Sequence, residues 1–426
     1  MTASNTDRAV DAVWRMESAR IVASLTRMVG DVDLAEDLAQ DALVAALEQW
    51  PETGTPVNPG AWLMTVAKRR AVDYLRRSQR VQRGQEKLGR ELEAQQEATA
   101  PELEEAMDDP VGDDVLRLMF ICCHPVLSLE ARVALTLRLV GGLTTEEIAR
   151  AFLVPVPTLA QRIVRAKRTL RAARVPFEVP TRPELAARLS SVLAVIYLIF
   201  NEGYTATAGD EWMRPSLCED ALRLGRILAE LMPGEPEVHG LVALMELQAS
   251  RLRARIGPTG EPVLLLDQDR GRWDQLLIRR GLAALGRAEA LGGALGPYTL
   301  QAAISACHAR ARAPEETDWA RIAALYDALV EVAPSPVVEL NRAVALAMAY
   351  GPSTGLEAVD RLIEEASLRD YHFLPSVRGD LLAKLGRLDE ARMEFERAAS
   401  LTRNARERAL LLERAAACAE GSPPSR

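Results

Sequence analysis

The chain has 426 residues, too long for one hydrophobic core, so two or three domains are expected. Aromatic residues make up only 4% of a sequence rich in Ala, Leu, Arg and Glu, which favours an all-α protein. A net charge of -8 argues against a general nucleic-acid-coating protein, and basic residues are instead gathered locally. Five cysteines, an odd number at irregular spacing, do not suggest a disulfide framework. The opening stretch Met1–Asp11 is polar, and the most apolar run, Val192–Phe200, is short for a membrane span. A soluble, cytoplasmic protein is the expectation.

Arg8–Gly30 reads as a helix with Val10, Val13, Trp14, Ile21, Leu25 and Met28 as its apolar stripe. Asp33–Trp50 is a second helix, with Leu34, Leu38, Ala42 and Ala45 inward. Asp33, Glu36, Asp37 and Gln40 gather outside with Asp41 bordering them: a solvated acidic face, or a docking surface for a basic partner. Trp50–Pro59 is a loop by its Pro, Gly and Asn content. Gly60–Ser78 follows as a third helix, with Trp62, Leu63 and Val66 packed inward. Lys68, Arg69, Arg70, Arg76 and Arg77 form a cationic stripe around Tyr74, continued by Arg80 and Arg83. Cations that track phosphates beside a ring that stacks on bases suit single-stranded DNA.

Glu86–Asp114 turns strongly acidic after Arg90 and reads as a linker, because like charges resist compaction. Helices over Asp114–Val140 support the next motif. Within them, Cys122-Cys123-His124 lacks the paired spacing of a zinc site and reads as buried thiols at a helix end. Thr144 and Glu147 then form a capping-box pattern at the start of a short helix that presents Ile148 and Phe152 on one face. Pro155 breaks it and Pro157 can sit in the first turn of the next. There Leu159, Ile163, Ala166 and Leu170 make one buried stripe, and Gln161, Val164, Arg165 and Arg168 the opposite face. Arg162 and Lys167 flank it, with Arg171 and Arg174 beyond. An apolar back, a basic front and a helix–turn–helix lead-in describe a recognition helix for the major groove.

These three motifs in this order, DLAEDLAQDAL, AWLMTVAKRRAVDYLRR and GLTTEEIARAF…TLAQRIVRAKRTLR, resemble an extracytoplasmic-function sigma factor over about Arg8–Arg174. The resemblance implies that Asp33, Glu36, Asp37, Gln40 and Asp41 dock on the β′ clamp helices of core RNA polymerase. It implies that Asn58, Trp62, Lys68, Arg69, Arg70, Asp73, Tyr74, Arg76 and Arg77 open and read the −10 element. Thr158, Gln161, Arg162, Val164, Arg165, Lys167 and Arg168 would read the −35 element, with Gln161 able to read adenine and Arg165 guanine. The acidic linker would thread a basic polymerase channel. The sequence departs from the family in having Glu52-Thr53-Gly54-Thr55-Pro56-Val57 before the AWL motif, and Ala160-Gln161 early in the recognition helix.

Pro176–Pro183 marks a boundary, after which Ala/Leu-rich helices repeat. Pro375–Leu401 carries Leu385-Gly386 at a turn, then Ala391 and Phe395 in the A-x₃-F spacing of a tetratricopeptide repeat. Val337–Ala366 echoes it with Gly351 at the turn, and Asp318–Val332 and Gln275–Leu291 read as degenerate helices. Two segments interrupt the pattern: Tyr197–Tyr204, with Phe200, Asn201 and Glu202, and Leu264–Trp273, with Asp269 and Arg270. No nucleophile–base pair or phosphate loop accompanies them, so structural turns are expected, with an interdomain or regulatory contact next. The extension and Tyr197–Tyr204 resemble a sigma-factor subgroup whose regulatory domain is fused at the C-terminus.

The domains expected are therefore a sigma region 2 (1–85), an acidic linker (86–113), a sigma region 4 helix–turn–helix (114–175) and a tetratricopeptide-like α-solenoid (184–420). The partners expected are core RNA polymerase, promoter DNA and a protein bound by the solenoid. No enzyme activity, cofactor, metal or membrane is expected. The rival reading is a ligand-sensing helix–turn–helix regulator acting without core polymerase.

Overall fold

A computed structural model describes residues 3–89, 111–258 and 260–420, and it is helical almost throughout. The acidic stretch at 90–110, where most of the linker expectation falls, lies outside the described residues. The chain divides into two compact units, Met1–Val195 and Ile196–Arg426.

The first unit is built on α1 (Ala3–Val29), α2 (Val32–Thr53) and α3 (Pro59–Gly89). Asp31 caps α2 by accepting from the amides of Asp33 at 2.9 Å and Leu34 at 3.3 Å. The helix stops at Gly54, whose φ of +84° few other residues adopt without strain. Ile21, Val22 and Leu25 of α1 are buried together with Leu38, Ala42 and Ala45 of α2 and with Leu63, Ala67 and Ala71 of α3.

The second half of this unit runs through α4 (Val111–Cys122), α5 (Leu129–Leu135), α6 (Thr145–Ala151) and α7 (Val156–Ala172). A π-turn over Thr136–Val140 extends α5. The four side chains of the anticipated stripe, Leu159, Ile163, Ala166 and Leu170, are the buried residues of α7. The capping box is complete, Glu147 N donating to Thr144 Oγ1 at 3.1 Å and Thr144 N to Glu147 Oε2 at 2.8 Å. Cys122 and Cys123 are buried, and burial pushes the Cys123 thiol up to about 11. The regions delimited as separate domains in the sequence thus share one compact unit, because α4 packs along α1.

The run Val192–Phe200 sits inside α8 (Arg182–Tyr204), a helix that by length and composition alone could cross a membrane, contrary to the expectation of a short apolar run. Its Val192, Leu193, Val195, Ile196, Ile199 and Phe200 are buried within the protein. The first half of α8 belongs to the first unit: Arg188 donates to Phe120 O at 2.9 Å and Ser191 to Cys123 O at 2.8 Å. The Pro-rich segment is therefore not where this unit ends.

Among the described residues of the second unit ten α-helices follow α8: α9 (Pro215–Leu231), α10 (Pro236–Ala249), α11 (Gln275–Ala290), α12 (Pro297–Arg310), α13 (Trp319–Val332), α14 (Pro336–Tyr350), α15 (Pro352–Asp360), α16 (Phe373–Lys384), α17 (Leu388–Leu401) and α18 (Ala405–Ala419). Helices adjacent in sequence pack on one another, as in an α-solenoid. Gly351 and Gly386, at φ +104° and +76°, make the anticipated turns. Ala391 and Phe395 are fully buried, and Phe395 lies against the backbone of Gly379, where a Cβ would come within 3.0 Å of the ring. A two-residue parallel pairing, β1 (Ala208–Gly209) with β2 (Arg403–Asn404), ties the start of this unit to its last helix. Asn404 Nδ2 reinforces it by donating to Ala206 O at 3.1 Å and Glu211 O at 2.8 Å.

Leu264–Trp273 is a loop of two 3₁₀ turns. Leu264, Leu265 and Leu266 form one wall of a cavity of about 740 Å³, opposite Trp319, Val344, Ala347, Val377 and Leu381. Arg270 anchors the loop, donating to His308 O at 2.8 Å and Ala311 O at 2.7 Å. His308 is buried beside Arg251 and Arg270, and burial with those charges lowers its pKa to about 3. The unfolded chain therefore binds more protons than the folded one below the ordinary value near 6.5, and stability falls as pH drops from there toward 3. The second unit should lose about 2 kcal/mol between pH 7 and pH 5, an upper figure at 1.36 kcal/mol per pKa unit. Calorimetry of wild type and His308→Gln at both pH values checks this, the variant losing most of the dependence.

Candidate nucleic-acid interface

Three surfaces of the first unit carry the residues singled out in the sequence. On α3, Asn58 caps the helix by accepting from Ala61 N at 3.1 Å, a structural duty the sequence reading had not assigned. Trp62 is half-buried, edge-on to the buried Trp50 with ring centroids 5.5 Å apart. Arg69, Asp73, Tyr74, Arg76 and Arg77 are exposed along one flank. Lys68 is not: it is 8% exposed, so it leaves the outward cationic stripe. Arg70 is half-buried and pairs with Asp41 of α2 at 3.1 Å, linking a residue expected to touch DNA to one expected to touch polymerase. The side chains of Arg80 and Arg83 lie outside the described residues.

On α7, Thr158, Gln161, Val164, Arg165 and Arg168 are exposed and Arg162 is half-buried, an outward face with no acid in it. Lys167 departs from this face. Its side chain is 10% exposed, and its Nζ lies 2.8 Å from Asp33 Oδ1 and 2.6 Å from Glu36 Oε2. It therefore serves α2 rather than a phosphate. Burial acts to lower the Lys167 pKa, but the Glu36 charge and the bonds from Asp33 and Glu36 outweigh it and raise it.

The acidic face of α2 is correspondingly altered. Glu36 is buried, not outward: Arg138 Nε donates to its Oε1 at 2.6 Å and Gln40 Nε2 to the same oxygen at 2.9 Å. Arg171 pairs with Asp31, and the Lys167 hydrogen bond holds Asp33 below the usual carboxylate range. Asp37 and Asp41 remain exposed. Partial burial, then its neighbours Asp33, Glu36 and Asp41, push the Asp37 carboxyl up, as expected where like charges crowd.

In the second unit, Tyr197 donates to Gln301 Oε1 at 3.1 Å and meets Tyr298 edge-on. Phe200 is buried and stacks on Tyr204, over which Arg255 sits at 3.8 Å. The Asn201 carbonyl accepts from Thr205 N at 2.8 Å and Glu202 pairs with Arg214. Asp269 accepts from Gly271 N at 2.8 Å, and Arg270 lies 5.0 Å from the ring of the buried Trp273. These bonds are internal to the unit; Leu264–Trp273 makes the structural turns expected of it, whereas Tyr197–Tyr204 is not a turn but the last part of the α8 helix. Arg251 and Arg255, which join this aromatic cluster, carried no periodic signal in the sequence.

Two of these stretches are similar to known protein families. Sigma-70 region 2 matches residues 14–81, and sigma-70 region 4 matches residues 117–170. A family of unknown function (DUF6596) matches residues 188–289. An uncharacterized protein of Rhizobium meliloti (strain 1021) is 45% identical over 389 residues, covering 91% of this chain and 90% of its own length. The chain belongs to the same family as that Rhizobium protein and carries sigma-70 regions 2 and 4. Proteins of two Mycobacterium tuberculosis strains (CDC 1551 / Oshkosh and ATCC 25618 / H37Rv), each described as a probable ECF RNA polymerase sigma factor SigI, are 29% identical over 168 residues. That match covers 39% of this chain and 56% of theirs. No solved structure gives a significant match.

Region 2 and region 4 thus meet through charge. Glu36 of region 2 receives Arg138 and Lys167 of region 4, and Asp114, leading region 4, receives Arg27 of region 2 at 3.0 Å. Removing a buried carboxylate breaks its pairs with Arg138 and Lys167, a loss of up to about 3–5 kcal/mol, although Lys167 keeps Asp33. Glu36→Ala should reach that range in chemical denaturation of the full chain, whereas Asp41→Ala, in an exposed pair, should cost about 0–1 kcal/mol.

Proposed function

We propose that this protein is a sigma factor of the extracytoplasmic-function type that directs promoter-specific initiation by core RNA polymerase in the cytoplasm. The observation that carries the reading is the pairing, on one chain, of sigma-70 regions 2 and 4, each with an outward basic face, beside an acidic helix. An operator-binding regulator needs only the helix–turn–helix. It has no use for the α2 acids or for the exposed Arg69, Tyr74, Arg76 and Arg77 of α3.

In this reading Asp33, Asp37, Gln40 and Asp41 engage the polymerase clamp helices, joined by Glu36 when it is released from its intramolecular partners. Arg69, Arg70, Arg76 and Arg77 track the phosphates of the opened −10 strand while Tyr74, 45% exposed, offers a ring for a base. Thr158, Gln161, Arg162, Val164, Arg165 and Arg168 face the −35 major groove, with Gln161 and Arg165 able to contact base edges. Phosphate contacts make binding salt-dependent and fix register. The second unit, whose helix pairs we read as tetratricopeptide-like, regulates initiation through a protein partner.

Factor-dependent run-off transcription with purified core enzyme tests the reading. Silence with core, together with tight operator binding by the free protein, would sink it. Arg165→Ala should cost about 1–3 kcal/mol of −35 discrimination, read as a relaxed promoter profile. Asp37→Lys should weaken core association while the circular dichroism spectrum stays helical; unchanged affinity would move the docking face elsewhere. Truncation to probe the second unit belongs after Val195, since Arg188 and Ser191 pack with region 4.

A further inference from the structure

The acidic face of α2 is occupied. Glu36 and Asp33 are bonded by Lys167 from α7, Glu36 also by Arg138, and Asp31 by Arg171, so region 4's own cations sit where a basic partner would bind. A second contact reinforces this. Gly142, in the turn before the helix–turn–helix at φ +71°, lies against α1 so closely that a Cβ there would come 2.5 Å from Ser18 Oγ. Arg15 of α1 pairs with Glu147 of the capping box, and Arg27 with Asp114. Along these contacts α4 packs on α1, so apolar burial supplies attraction and the ion pairs fix register.

Taking these together, we propose that the free protein is latched shut: region 4 covers the acidic docking face of region 2, and polymerase engages only the open form. The proposal rests on the sigma-factor reading of that face. A −35 and a −10 element lie 25 base pairs apart by name, roughly 85 Å at 3.4 Å per step. By contrast, α7 is clamped to α2, itself about 33 Å long at 1.5 Å per residue and packed on α3. The two basic faces cannot reach both elements until Lys167 leaves Asp33 and Glu36. Closed protein lowers apparent affinity for polymerase by the fraction that is open, so loosening the latch tightens binding without any new contact.

The Gly142–Ser18 approach supplies the test. A Cβ built on Gly142 lies 3.6 Å from Ser18 Cβ, within the range a disulfide spans, and the five native cysteines are buried. In the full chain carrying Ser18→Cys and Gly142→Cys, mild oxidation should cross-link the free protein nearly completely. Adding Arg138→Glu, which sets a like charge against Glu36, should slow cross-linking at least tenfold. The oxidised protein should bind core polymerase at least tenfold more weakly than the reduced one, with recovery on adding reductant. In the wild-type cysteine background, Arg138→Glu should bind core about tenfold more tightly; if that variant melts early, Lys167→Met serves in its place.

Failure to cross-link, cross-linking indifferent to both latch variants, or equal core binding by oxidised and reduced protein each overturns the latch. If cross-linking is complete and latch-dependent while neither reduced nor wild-type protein binds core, the closure stands and the polymerase reading falls.

Discussion

A buried carboxylate is costly unless its charge is met, and in this protein Glu36 is met by two cations from a different region of the chain. Much of the first unit follows from that. Lys167 is withdrawn from the reading face of α7, because an ammonium between two carboxylates is better placed there than in water. Arg138, in a π-turn with no periodic pattern of its own, becomes an anchor by also donating to Leu143 O at 3.1 Å. The acids left on the outside, Asp37 and Asp41, are the portion of α2 that a partner can meet first.

What was legible in the sequence was what depends on neighbours along the chain. The stripe Leu159, Ile163, Ala166 and Leu170 repeats at helical spacing, and the Thr144–Glu147 box closes within three residues, so both could be read directly. The glycine turns at Gly351 and Gly386 were legible for the same reason. The inward turn of Glu36 was not, since spacing alone puts it beside Asp33 and Asp37, and its partner Arg138 is 102 residues away. Lys167 was misassigned likewise: Asp33, its partner, is 134 residues away. Where the compact units divide also depends on contacts distant in sequence. Pro176–Pro183 looks like a linker, yet the following helix begins by packing Arg188 and Ser191 on α4 and its end, so the division falls inside a continuous helix.

The second unit uses charge differently. Arg251, Arg255 and Arg270 are set against Tyr204, Trp212 and Trp273; Arg270 donates to carbonyls and a hydroxyl, and Arg255 to a carbonyl, a hydroxyl and the Met213 sulfur. Aromatic faces stabilise a guanidinium where water is scarce, but they leave repulsion between cations standing. Burial, with Arg251 nearby, accordingly lowers the pKa of both Arg255 and Arg270. A single carboxylate placed among them would relieve this. The segments that looked like interruptions of the repeat are therefore its interior fastening, with the short β1–β2 pairing closing the same end.

Charge rather than packing alone suits the proposed latch, in which the contact comes apart. Well-packed apolar side chains in place of Glu36, Arg138 and Lys167 would hold regions 2 and 4 together as firmly or more so. They would also leave nothing for a basic surface to compete for. Ion pairs separate into groups that water and a partner can solvate, so each bond lost inside the chain is replaced by one outside it. In the proposed latch the same acids would serve two successive partners: the protein's own region 4 first, and a cationic surface once region 4 has been drawn away.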